Sequence, residues 1–203
     1  MPKYVDHDDR RRDILEATQQ VLADLGPRGL TVRAVAQRMG GSSTVVTHYF
    51  GTREALIDGV VATFGEWPDQ LRELEAGVTD PRARLRLFLQ WLVPYDEHAL
   101  MEERGRINLL AERGRHMPVD HLFNGADATV RKLLEDRLKV LVPAKQRPGV
   151  IDLLRAATNG ITLATIEHPG EWNATRQFAV IDRLLDLLDL LPDDEPATKH
   201  KTR

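Results

Sequence analysis

Apolar residues recur along this chain at intervals of three and four, the period of an α-helix, and no convincing period-two strand interrupts them. Ile14, Ala17, Val21, Leu22 and Leu25 line one face of a helix expected over 10–25, which Gly26-Pro27 should end. Val32, Val35, Ala36 and Met39 fall at i, i+3, i+4 and i+7, one apolar stripe on a second, short helix. Thr31 suits its N-cap, and Gly40 stands where a left-handed residue would close it. Ser42 suits the N-cap of a third helix made of Ser43, Thr44, Val45, Val46, Thr47, His48 and Tyr49. That helix is too short and too polar for a core. A fourth is expected from Thr52 to Trp67, where Pro68 interrupts it.

Beyond Pro68 the spacing predicts a polar stretch over 69–79 and helices over 80–93, 96–116 and 119–142. Pro94, Pro118, Pro143 and Pro148 punctuate them. The last two helices are expected over 149–167 and 172–191. On the final one, Phe178, Ile181, Leu185 and Leu188 form one stripe, and Val180, Leu184, Leu187 and Leu191 form a second beside it. So broad an arc exceeds what one contact surface needs, so part of it can pack internally while the rest meets a partner. A deeply buried helix is the alternative. The whole is an all-α fold of about nine helices, organised as 8–68, 69–191 and a charged, Pro-containing tail over 192–203 expected to be disordered.

The unit from Thr31 to Leu56 is the pattern of a helix-turn-helix, which lays its second helix in the DNA major groove. Reading base edges needs small polar and methyl-bearing side chains. Ser43, Thr44, Val45 and Thr47 are of that kind and are the candidate readers. Thr31, Ser42, His48, Tyr49 and Arg53 are candidates for holding phosphates, and Arg33, off the apolar stripe, joins the DNA-facing set. Arg53 begins its helix, where a cation opposes the helix dipole by about 0.3–1 kcal/mol. A phosphate nearby would reverse that sign. Arg10, Arg11, Arg12 and Lys3 could reach DNA from a flexible arm, or simply form a solvated tail.

Charge alone would not suggest DNA, since the chain carries a net charge of −3. Its distribution leans the right way: eight basic against six acidic residues over 1–53, and six against nine over 150–203. The chain has no cysteine, which rules out disulfides and thiolate metal sites. The charged start argues against a signal peptide, and no run approaches the ~20 apolar residues of a membrane span, so a cytoplasmic protein is expected.

The segments RRDILEATQQVLADLG and HYFGTREAL, with the helix-turn-helix between them, resemble the TetR family of bacterial transcriptional repressors from about Arg10 to Phe64. The opening MPK, the triple arginine and His48-Tyr49-Phe50 look like its choline-responsive betaine-pathway subgroup. The resemblance implies a three-helix DNA-binding head, a ligand-binding body and a dimer formed by the last two helices (149–167 and 172–191). It also implies a palindromic operator, a small-molecule effector that releases it, and no cofactor. Departures bear on the operator: Gly41 replaces a usual valine, Thr44 a glycine, Thr47 a tyrosine and Arg53 a lysine.

An effector cavity would be lined by aromatic and apolar side chains with a few polar groups. Candidates are Trp67, Phe88, Trp91, Tyr95, Met101, Glu102, Ile107, Asn108, Met117, His121 and Phe123. Trp91, Tyr95 and Glu102 could cage a quaternary ammonium. No metal site is expected: His116 and His121 do not share a helix face, and the Glu112–His116 pair is not a site by itself. Neither GxSxG, HExxH, P-loop nor dinucleotide fingerprint occurs, which argues against an enzyme. A helix-turn-helix that binds protein instead of DNA is the remaining alternative.

Overall fold

The computed structural model describes residues 7–64 and 67–190, with the side chains of 67–70 left out of that description. Among the described residues the fold is all-α, with ten α-helices and one short 3-10 helix. They are α1 (His7–Gly29), α2 (Val32–Arg38), α3 (Ser43–Tyr49), α4 (Arg53–Thr63), α5 (Trp67–Leu74), α6 (Pro81–Trp91) and α7 (Glu97–Asn108). The 3-10 helix (Leu109–Glu112), α8 (Met117–Leu138), α9 (Arg147–Glu167) and α10 (Ala174–Leu187) follow.

Most departures from the sequence pattern trace to proline. Pro68 was expected to end a helix and lies in the first turn of α5, which runs into the stretch 69–79 expected to be merely polar. Pro118 likewise lies in the first turn of α8, and Pro81 and Pro148 start α6 and α9. A first-turn N–H has no partner within its helix, so proline sacrifices nothing there. The helix expected over 96–116 stops at Asn108, and Gly114 takes φ +74° before α8 begins. Leu25, expected in the core, is 56% exposed, because Gly26 turns the backbone to φ +65° immediately after it.

The described helices fall into two compact units that interleave along the chain: Met1–Trp67 with Asp96–Thr129, and Pro68–Tyr95 with Val130–Arg203. In the first unit, Ile14, Val21, Leu22, Leu30, Val35, Val46, Phe50, Leu56, Ile57 and Val60 share one core with Leu109 and Val119. Each such burial contributes about 1.5–3 kcal/mol. Gly59 lets α4 approach closely: a Cβ there would lie 2.6 Å from Leu15 and 2.7 Å from Phe50. Helix α7 joins this unit through Asn108, whose Nδ2 donates to the carbonyl of Leu22 at 2.7 Å. Residues 96–129 thus pack with the N-terminal helices although they follow residue 68 in the chain.

The second unit is built on α6, α9, α10 and the end of α8. Leu85, Phe88, Leu134, Leu154, Ile181 and Leu185 are buried in it. Arg86 on α6 donates to both carboxylate oxygens of Asp182 on α10 at 2.6 Å. Gln177 Nε2 donates to the carbonyls of Pro94 (3.0 Å) and Trp172 (2.9 Å). Buried Glu75 accepts from Arg137, whose guanidinium lies 4.2 Å over the Phe88 ring.

Candidate nucleic-acid interface

The turn between α2 and α3 is fixed by short-range hydrogen bonds. Thr31 Oγ1 accepts from the Ala34 N–H at 3.0 Å and opens α2. At the other end Gly40 takes φ +63°, its N–H donates to Gln37 O at 3.1 Å, and the Gly41 N–H donates to Ala36 O at 2.9 Å. This pair of bonds is the Schellman closure, and its left-handed position is why glycine follows Met39. The motif usually adds an apolar contact from the residue after the left-handed one. Gly41 has no side chain to make it. Ser42 Oγ then accepts from the Thr44 N–H at 3.2 Å and starts α3.

Helix α3 is seated by one residue. Val46 is 1% exposed, and Phe50, just past the helix, is buried with it. Ser43, Thr44, Val45, Thr47 and His48 are exposed, as are Thr31, Arg33 and Ser42, while Tyr49 is half-buried. The candidate readers therefore form one solvent-facing surface. Thr47 Oγ1 donates back to the Ser43 carbonyl at 2.8 Å, so it offers a partner its methyl and its lone pairs, not its hydrogen.

The start of α1 braces the far end of α3. Arg11 lies 4.6 Å over the Phe50 ring, and His7 Nδ1 is 2.7 Å from the Tyr49 hydroxyl. The His48 ring meets Tyr49 edge-on at 5.2 Å. Arg10, Arg11 and Arg12, expected on an arm, lie within α1, and Arg12 pairs with Asp9 at 2.9 Å. Lys3 lies outside the described residues. His7 was missed in the sequence because nothing in a charged N-terminal run marks a residue that packs against a helix 42 positions later.

Thr52 Oγ1 caps α4 by accepting from the Ala55 N–H at 3.1 Å. Arg53, the expected phosphate ligand, has a guanidinium already engaged. Its Nε and Nη2 donate to the Pro27 carbonyl at 3.1 and 3.0 Å, and Nη2 also donates to Glu112 at 2.7 Å. Its Nη1, 3.7 Å from Glu54 Oε1, makes none of these bonds, so a phosphate could be met there without breaking them. One turn further on, Asp58 pairs with His116 at 2.8 Å, so segment 112–116 grips α4 at two points. Glu112 and His116, weighed in sequence as a metal pair, here partner Arg53 and Asp58 respectively. Among the described residues no group of three or more histidines or carboxylates is placed to hold a metal.

The effector-pocket candidates divide between the units. Phe88, Trp91 and Tyr95 belong to the second: Phe88 is fully buried and stacks on Trp91 at 6.1 Å, and Tyr95 meets Phe178 at 6.0 Å. Met101, Glu102, Ile107, Asn108, Met117, His121 and Phe123 belong to the first. Of these, Asn108 is a tether to α1, Met117 and His121 face solvent, and Phe123 is flanked by Arg106 and Arg113 at 5.8 and 5.4 Å. Glu102 is half-buried, and burial raises its pKa, with Glu103 and Asp96 adding to the shift and His98 opposing it. The side chain of Trp67 lies outside the described residues.

A model of bacterial regulatory proteins of the tetR family matches residues 14–60, which contain α2, α3 and most of α1 and α4. The HTH-type transcriptional regulator PksA of Bacillus subtilis is 30% identical over 204 residues, covering 98% of this chain and 100% of its own. The HTH-type transcriptional regulator BetI of Burkholderia cenocepacia is 34% identical over 88 residues, 42% of this chain and 45% of the relative. Among solved structures, a transcriptional regulator from Saccharomonospora viridis in complex with choline superposes with a TM-score of 0.76 at 15% identity, covering 89% of this chain and 97% of that one. At that identity the likeness is one of fold.

Proposed function

The chain belongs to the TetR family of bacterial regulatory proteins and is a helix-turn-helix DNA-binding transcription regulator, not an enzyme, and we propose that it works as a homodimeric repressor released by a small molecule. The observation that carries this reading is the seating of α3: Val46 and Phe50 are buried beneath it while every candidate reader faces out. Two such helices, related by a dimer axis, would enter successive major grooves of a palindromic operator. Ser43, Thr44, Val45 and Thr47 read base edges there. Thr31, Arg33, Ser42, His48 and Tyr49 fix the register on the backbone, and Arg53 joins them through Nη1.

In this reading residues 8–68 carry the DNA contacts, 69–191 carry effector binding and dimerisation, and the protein acts in the cytoplasm. Among the described residues no helix is long and apolar enough to cross a membrane. A quaternary ammonium such as choline is the first effector to try, supported by the choline-bound neighbour of the same fold. An effector releases DNA only by binding the DNA-incompetent state more tightly.

Selection of bound fragments from genomic DNA, followed by fluorescence anisotropy, tests the reading. Affinity for the recovered operator should fall about tenfold or more between about 50 and 200 mM salt, as phosphate-bound counterions are released. Thr44→Ala should change preference at one or two base positions. No enriched fragment at low salt would leave α3 as a protein-binding helix and sink the proposal.

A further inference from the structure

The tyrosine at the end of α3 already has a partner. The Tyr49 hydroxyl carries a single hydrogen, and His7 Nδ1 sits 2.7 Å from it. Which atom donates depends on the protonation of the ring. An unprotonated Nδ1 accepts, so the hydroxyl hydrogen is held against His7 and only oxygen lone pairs face outward. A phosphate, which only accepts, gains nothing from that arrangement. A cationic ring donates through Nδ1–H to the tyrosine oxygen, and the hydroxyl hydrogen is then free to point at an incoming phosphate oxygen. The neutral Nδ1–H tautomer also frees it, but brings no charge to the phosphate.

We propose that His7 is a positioning residue of the DNA interface, taking up one proton from solvent when DNA binds and thereby aiming the Tyr49 hydroxyl at a backbone phosphate. This rests on reading α3 as the groove-facing helix. Three features of the site support it. His7 is exposed, so solvent protons reach it. It lies at the first position of α1, within hydrogen-bond reach of the end of α3. Its neighbour four residues on, Arg11, is held over Phe50, so one face of α1 is already docked on the end of α3.

Among the described residues, the other charged and titratable groups on these two helix ends are His48 on α3 and, on α1, Asp8, Asp9, Arg10, Arg11 and Arg12. Arg12 is paired with Asp9, and Arg10 lies 3.6 Å from Asp13. His48 is the second imidazole beside Tyr49, its ring centroid 5.2 Å away.

The sign follows from linkage: a complex that binds an extra proton tightens as pH falls. The probe is a fluorescein-labelled duplex of random sequence at low salt, because a phosphate contact does not depend on sequence. Wild-type affinity is expected to rise about three- to tenfold from pH 8 to pH 6, within the range where histidine changes charge. His7→Asn places an uncharged amide donor where Nδ1 was; it should lose most of that rise while melting at the wild-type temperature. His48→Gln should bind more weakly but keep the rise. An H7N slope equal to wild type, or a rise abolished by H48Q and retained by H7N, overturns the proposal alone. No binding of the duplex at any pH overturns the DNA reading, and the His7 proposal with it.

Discussion

Glu102 lies on α7 with His98 3.7 Å away and with Glu103 and Asp96 near. Its pKa is raised, first by burial, while His98 opposes the shift. A carboxyl that is easier to protonate in the folded protein stabilises the fold fully only below its unfolded value, and that contribution is lost as pH rises through the folded one. Glu102→Gln is therefore expected to melt slightly higher than wild type at neutral pH and at the wild-type temperature in acid. Solvent screening of a group this exposed keeps the gain small. Circular dichroism melts at the two pH values check it, and a lower melting temperature at neutral pH would mean the carboxylate has a net favourable partner. Side-chain chemistry of this kind was only half legible in the sequence. Arg53 was recognisable as a cation at a helix start, but its engagement with Pro27 and Glu112 depends on residues 26 and 59 positions away.

At the scale of elements, bonds spanning two to five residues were readable, and those between helices were not. Thr31, Ser42 and Thr52 cap the helices their positions suggested, and Gly40 closes α2 as expected, because each bond is completed within one turn of chain. Proline misled in the other direction. Pro68 and Pro118 carry the same missing N–H whether they end a helix or start one, and only the next turn of structure decides. What joins α6 to α10 is the Arg86–Asp182 pair, 96 positions apart, and no periodicity announces it. Both side chains are largely covered, and the hydrogen bond to Asp182 raises the Arg86 pKa against the cost of burial. Asp182→Asn preserves shape, removes the charge and leaves one oxygen replaced by a donor facing a donor. A loss of about 1.5–3 kcal/mol in urea unfolding is expected. A change below about 0.5 kcal/mol would place the pair among surface ion pairs that water replaces at no cost.

At the scale of the whole molecule the proposed pairing of two copies rests on the exposed surface of α9 and α10. Leu153 (45%) and Leu163 (47%) are exposed on α9, with exposed Ala156 and Gly160 on the same side. A Cβ at Gly160 would meet nothing within 4 Å, so another helix could approach it closely. On α10 the two stripes seen in the sequence separate: Ile181 and Leu185 are buried, while Val180 (36%) and Leu187 (69%) are exposed. Leu191 of that second stripe lies outside the described residues. Val180 and Leu187 thus leave apolar surface of α10 open to a partner. A helix–helix seam of leucines around small residues is what two copies of one surface can share about a twofold axis. Leu163→Glu is expected to weaken self-association about 10- to 100-fold, since burying one leucine is worth about 1.5–3 kcal/mol. Sedimentation over a range of concentrations measures this directly. The wild-type melting temperature should also rise with protein concentration, and that of the variant much less, because association stabilises only the folded chain. A wild type that sediments as a lone subunit at every concentration would remove the paired heads, and with them the palindromic operator.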